Sequence, residues 1–243
     1  MTIADSTHAV LIERDGPVLT FTLNRPDAGN EVSTGMFEAM IAALRGEAVA
    51  PVARVLRLRA NGQAFCTGRE RSGKDAVSIH TDVSRLIELK RLLRSTSLIT
   101  VAEVQGDAFG FGFGLAILAD FTLVSSTAKL AFPEMRKGLP PAAILAYLGT
   151  YALPKQVFPL VLFGDAIAPE AALQAGLITQ ICAPQQLADD VSRVIGRIVA
   201  LDEIGARHCK QFFQGAQENT IEQNFRSAVE ALTVSSLRLM QST

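Results

Sequence analysis

The stretch Gly106–Asp120 (GDAFGFGFGLAILAD) carries glycines at Gly110, Gly112 and Gly114, alternating with phenylalanines, between one apolar run and another. Glycine at this density serves the backbone itself: the chain turns sharply, or something approaches it closely. A dinucleotide fingerprint needs Gly-x-Gly-x-x-Gly, but the sixth position counted from Gly110 is Leu115. A phosphate loop is excluded as well, because no Lys-Ser or Lys-Thr follows. Two readings remain open on spacing alone. One is a closely packed strand-to-helix corner. The other is an oxyanion hole, in which N–H groups at the start of a helix, lacking a partner within it and lying at the positive end of its dipole, receive the charge that develops on an enolate oxygen. One such donor is worth about 2.7–4 kcal/mol.

A second donor must come from elsewhere, and the loop Ala64–Glu70 (AFCTGRE), with Gly68 beside an exposed N–H, is the candidate. In AFPEMRKGLPP (residues 131–141) a proline and an acid, Glu134, start a short helical segment. An acid just after a proline at a helix start is favoured by the dipole alone, by about 0.3–1 kcal/mol. That plain role predicts a solvent-facing carboxylate. A general base predicts one turned into an apolar pocket with a raised pKa. His8, His80 and His208 are far apart, and Cys66, Cys182 and Cys209 are widely spaced, so no metal site is expected.

The elements that would position these residues follow from periodicity. Strands are expected at Ala9–Arg14, Val18–Leu23, Val55–Leu58, Ile99–Val104, Phe121–Ser125 and Ile178–Cys182. A helix capped by Ser33 or Thr34 runs through Phe37, Met40, Ile41 and Leu44, at i, i+3, i+4 and i+7. Further helices are expected over Val77–Arg94, Gly112–Ala119, Pro141–Leu148, Pro154–Leu162 (weakened by Pro159) and Pro169–Ala175, then over 185–200, 204–215 and 220–240. Strands alternating with helices argue for an α/β fold with mostly parallel sheet. There is no internal repeat or low-complexity segment.

The 243 residues are 49% hydrophobic and 19% charged, ordinary for a globular protein, with a formal net charge of −1 that favours neither nucleic acid nor an anionic membrane. The N-terminus MTIADSTHAV has no basic region followed by an apolar core, and no apolar run approaches the roughly 20 residues of a membrane span. The odd, scattered cysteines fit a reducing cytoplasm.

Four segments in order, NRPDAGN (24–30), AFCTGRE (64–70), the glycine stretch with LAILAD, and AFPEMRKGLPP (131–141), resemble the crotonase superfamily of enoyl-CoA hydratases and isomerases. The resemblance implies a spiral core of β-β-α units over residues 1–195 and a helical trimerisation region over 196–243, assembled as a trimer or a dimer of trimers. It implies an acyl-CoA thioester as ligand, with CoA as part of the substrate and no separate cofactor. The oxyanion N–H groups fall on Arg69 and Phe111. Ala28 and Cys66 match positions whose backbone lies near the adenine, and Gly68, Gly112 and Gly114 fall within the substrate-binding segments.

Hydratases of the superfamily carry two glutamates. One matches Glu134; the other falls on Gly114, and neither Asp107 nor Asp120 stands in its place. Hydration of a conjugated thioester divides water positioning and proton delivery between two carboxyl groups. Moving a double bond from position 3 to position 2 needs one, which takes a proton beside the thioester and returns it two carbons away; general base catalysis of this kind contributes about 10²- to 10⁴-fold. The expected reaction is therefore 3-enoyl-CoA to 2-enoyl-CoA isomerisation with Glu134 as base. A β-oxidation hydratase, another enolate reaction such as decarboxylation or carbon–carbon bond formation, and a non-catalytic CoA-thioester binding protein are the alternatives. The segment GLPPAAI (138–144), glycine-rich in many relatives, points to an unusual acyl pocket.

Overall fold

The computed structural model describes residues 8–241, so most of the N-terminal stretch read for a leader lies outside the described residues. Strands β1 (Val10–Asp15) and β2 (Val18–Leu23) form an antiparallel hairpin around Gly16, whose φ of +51° only glycine adopts without strain. Strands β3 (Val55–Ala60), β4 (Ile99–Val104), β6 (Phe121–Ser125) and β8 (Gln180–Cys182) then add in parallel, giving the order β1-β2-β3-β4-β6-β8. The two-residue strands β5 (Ala108–Phe109) and β7 (Leu130–Ala131), which periodicity does not reveal, pair in a separate parallel sheet.

Helices connect the parallel strands, since a parallel pair needs a long crossover connection. Helix α1 (Thr34–Val49) is capped by Ser33, whose hydroxyl accepts from Met36 N–H; α2 (Ala76–Ser95) is capped by Asp75, whose carboxylate accepts from Val77 and Ser78. Helix α3 (Phe111–Ile117) follows β5, and α4 (Ala142–Leu148), α5 (Pro154–Phe163) and α6 (Pro169–Gln174) lie between β7 and β8. One face of the sheet buries the main core, with Phe21, Met36, Met40, Leu56, Leu89 and Phe113 all nearly inaccessible. The other face packs Val55, Val101 and Leu123 against Leu187, Val191, Ile195 and Ile198 of α7 (Leu187–Val199). Position 195 thus lies inside a helix of the sheet's second layer. Beyond it come α8 (Glu203–Ala216) and α9 (Ile221–Gln241), and α9 buries none of its described residues.

Asp120, at the far end of α3, ties α8 to this frame. Its carboxylate accepts from Thr100 N–H at 2.7 Å and Thr100 Oγ1 at 2.8 Å, and pairs with Lys210 Nζ at 2.7 Å. Lys210 is buried and also donates to the Leu98 carbonyl. Removing one partner of such a pair strands the other charge, so Asp120→Ala is expected to lower unfolding stability by about 3–5 kcal/mol. Urea denaturation should show a reduced midpoint, whereas Glu222→Ala, which breaks an exposed i,i+4 pair with Arg226, should move it by less than about 0.5 kcal/mol equivalent.

Candidate active site

The glycine stretch is stitched to the loop of residues 61–73 by backbone hydrogen bonds. Phe65 and Cys66 N–H donate to the Asp107 carbonyl at 3.0 and 3.2 Å, and Phe109 N–H donates to the Cys66 carbonyl at 2.9 Å. On the loop's other side Val32 N–H donates to Gly68 O and Glu70 N–H donates to Val32 O. Both bonds of this parallel bridge use the residues flanking Arg69, so the Arg69 N–H faces away from Val32. It has no protein partner among the described residues, and neither has the N–H of Phe111, the first residue of α3. Both residues line one cavity of about 740 Å³. The Phe111 ring packs edge-on against Phe37, with ring centres 5.2 Å apart.

Each glycine of the stretch admits a different group to the backbone. A β-carbon on Gly110 would lie 2.6 Å from Oε1 of Glu134, one on Gly112 would lie 2.1 Å from the Cys66 carbonyl oxygen, and one on Gly114 would lie 2.6 Å from Tyr147 Oη and 3.1 Å from Lys90 Nζ. The close approach and the packed corner are therefore both present, at different glycines. Gly110, at φ +52° and ψ −113°, also makes the turn into the helix.

Glu134 sits in a 3-10 turn, Pro133–Lys137, that ends at left-handed Gly138 (φ +70°). Its carboxylate lines the cavity, and its Oε2 is buried with no hydrogen-bond partner. Burial raises its pKa above the usual carboxylate value, against the opposing pull of Lys90, Arg71 and Lys137. This is the pocket-facing carboxylate rather than the solvent-facing one. Residues Leu139–Ile144 form an adjoining wall, so the altered GLPPAAI segment shapes this cavity.

Facing Glu134 is a group that sequence reasoning missed. Lys90 of α2 is 5% exposed, and among the described residues no ion pair joins it to a carboxylate. Its Nζ donates to Tyr147 Oη at 3.0 Å and to the Ala143 carbonyl at 3.3 Å, and lies 4.7 Å from the centre of the Tyr147 ring. Tyr147 Oη in turn donates to the Gly114 carbonyl at 2.8 Å. Burial lowers the Lys90 pKa to about 7, although Glu134 pulls the other way. The signal was available: the buried residues of α2 are Leu86, Leu89, Lys90 and Leu93, so a lysine occupies a core position of an apolar stripe.

The sequence itself matches the family model described as enoyl-CoA hydratase/isomerase over residues 13–236. This chain belongs to the enoyl-CoA hydratase/isomerase family. Among its relatives, the trans-2-decenoyl-(acyl-carrier-protein) isomerase of Streptococcus mutans is 26% identical over 78% of this chain and 75% of that protein. The carnitinyl-CoA dehydratase of Salmonella paratyphi A is 27% identical over 92% of this chain and 86% of that protein. An enoyl-CoA hydratase structure from Mycobacterium smegmatis superposes with a TM-score of 0.89 at 25% identity, covering 93% of this chain and 90% of that one. A candidate enoyl-CoA hydratase of Thermobifida fusca, solved in complex with CoA, gives 0.88 at 23% identity, over 96% and 95%.

Of the residues expected at a family site, Glu134, Arg69, Phe111 and Gly68 are brought to the cavity. The others are not part of its lining. Cys66 and Gly112 are behind the wall, pressed against each other, and burial pushes the Cys66 thiol up to about 12. Gly114 is covered by Tyr147 and Lys90, and Ala28 is exposed on a 3-10 turn at Pro26–Ala28. Asp107 is taken up by the Lys129 N–H at 2.9 Å, as Asp120 is by Lys210, so neither of these replaces the acid absent at Gly114.

A carboxylate whose folded pKa is raised destabilises the fold when it is ionised. The penalty is absent below the unfolded value of 4.5 and grows as pH rises through the higher folded value. Glu134→Gln is therefore expected to have a higher Tm than the natural protein at pH 7–8, with the gain disappearing at pH 4. Calorimetry over that range checks this; a variant less stable at neutral pH would show that Glu134 is structurally paired.

Proposed function

We propose that this chain binds acyl-CoA thioesters and isomerises 3-enoyl-CoA to 2-enoyl-CoA through a dienolate, with Glu134 as the base that removes the proton beside the thioester. The observation that carries the reading is the conjunction of a pocket-facing carboxylate whose Oε2 is unpartnered with two backbone N–H groups that have no partner among the described residues, and with a glycine, Gly114, in place of the second family glutamate. The thioester oxygen accepts from the N–H groups of Arg69 and Phe111, which lowers the energy of the dienolate that forms when Glu134 takes the proton. Burial raises the carboxylate's basicity toward what such an abstraction needs. The decenoyl isomerase among the relatives, and the CoA bound to the Thermobifida neighbour, support the ligand class and the reaction type.

Hydration or dehydration is the second reading. The carnitinyl-CoA dehydratase favours it, since that resemblance extends over more of the chain. Against it stands Gly114, where a family hydratase holds its other acid and where this chain places Tyr147 and Lys90 instead. Offering 3-enoyl-CoA and 2-enoyl-CoA thioesters of several lengths, and following the conjugated chromophore, separates the two. The isomerase reading predicts gain of the chromophore from 3-enoyl substrates and a drop of about 10²- to 10⁴-fold in Glu134→Gln. Rapid loss of the chromophore from 2-enoyl substrates would establish the hydratase instead.

The reading extends to assembly. Phe225, Val229, Leu232 and Leu237 are exposed along α9, an apolar run that other copies of the chain would cover in a trimer or a dimer of trimers. Analytical ultracentrifugation should then give three or six times the 26.0 kDa chain mass, and a monomer would contradict it.

A further inference from the structure

We propose that Lys90 is a second catalytic residue of this cavity: it delivers the proton at C4 of the substrate while Glu134 removes the one at C2. The inference rests on the isomerase reading and replaces its single shuttling carboxylate with two groups of opposite charge.

The geometry points to it through the glycines. Gly114 N–H donates to the Gly110 carbonyl at 2.9 Å, so the two lie one helical turn apart, about 5.4 Å along the axis. The Glu134 carboxylate covers the first and the Lys90 ammonium covers the second. Both line the same cavity, yet no ion pair joins them among the described residues. An opposite charge nearby normally draws a buried lysine into contact, because a buried cation without an anion is costly. Lys90 is held short of Glu134 by its bonds to Tyr147 Oη and the Ala143 carbonyl. An ammonium has three donors and only two are used, while Glu134 Oε2 accepts from nothing. Two unsatisfied, opposite groups thus face the space where a three-carbon allylic unit would lie.

The protons and electrons balance. Glu134 takes the C2 proton, and the C2–H electron pair becomes part of the dienolate, whose oxygen is held by the two N–H groups. The C3–C4 π pair then takes a proton from the Lys90 ammonium at C4 while C2=C3 forms and the C1 carbonyl returns. Glu134 is left protonated and Lys90 neutral, and solvent returns one proton from the first to the second. The groups facing Lys90 are Glu134 from the Pro133–Lys137 turn and Tyr147 from α4; α3 presents no charge, and Glu38 and Arg45 of α1 are paired with Arg85 and Glu88. A lysine titrating at about 7 is a competent acid near neutral pH, and its loss of the proton gives turnover an alkaline limb there.

The test pairs a label with a variant. A 3-enoyl-CoA deuterated at both C2 positions is converted in ordinary water by the natural protein, and the product is examined at C4. The two-group mechanism predicts protium from solvent at C4. It also predicts that Lys90→Gln loses about 10²- to 10⁴-fold in kcat, with KM within a few-fold and the alkaline limb gone. Deuterium carried to C4 overturns it, even if the variant fails to fold, because that result comes from the natural protein. A Lys90→Gln enzyme as fast as the natural one also overturns it while leaving the isomerase reading intact. A natural protein that converts no 3-enoyl thioester sinks that reading and this inference with it.

Discussion

The site depends on backbone left bare along one short helix. Helix α3 starts in the floor of the cavity, and at Gly110, Gly112 and Gly114 groups from three other segments come closer than any β-carbon would allow. Gly112 carries the most rigid constraint, since its neighbour is the Cys66 backbone and cannot move aside as a side chain can. That contact, with the hydrogen bonds between residues 65–66 and 107–109, fixes the position of the loop bearing Arg69 relative to the helix bearing Phe111. A methyl group at Gly112 would push apart the two elements whose unpartnered N–H groups belong to residues lining the cavity. The flanking glycines admit the charges, a carboxylate at one and an ammonium with its tyrosine at the other.

Those charges show where stability has been given up. Several buried charges are matched: Glu47 with Arg14, Glu103 with Arg57, Lys210 with Asp120. Lys90 and Glu134 are not, each desolvated and each without an ion-pair partner among the described residues. Burial moves both pKa values toward neutrality, one from above and one from below, which is where proton transfer is most effective. A fold free to maximise stability would let them touch. Tyr147, anchored to the Gly114 carbonyl, holds the ammonium away.

Much of this was legible before any coordinates. The β2 pattern VLTFTL, the 3.6-residue stripe of Phe37, Met40, Ile41 and Leu44, and the proline and glycine boundaries lead to the observed strands and helices within a residue or two. The four motif segments lead to Glu134 and to the two N–H groups. Lys90 stayed hidden because a lysine inside a leucine stripe is easily taken for a helix-face cation that reaches solvent; its burial depends on Tyr147, far away in sequence. Strands β5 and β7 are two residues long, too short for any period to register. The roles of Gly112 and Gly114 turn on what packs over them, which spacing along the chain does not encode.

The measurement that tests the central claim most directly is a structure of the protein with a non-reactive 3-enoyl-CoA analogue bound. The account predicts a thioester oxygen within about 2.7–3.1 Å of both the Arg69 and Phe111 nitrogens, with C2 beside the Glu134 carboxylate and C4 toward Lys90. A thioester held elsewhere in the cavity, or an oxygen reached by neither N–H, would contradict it.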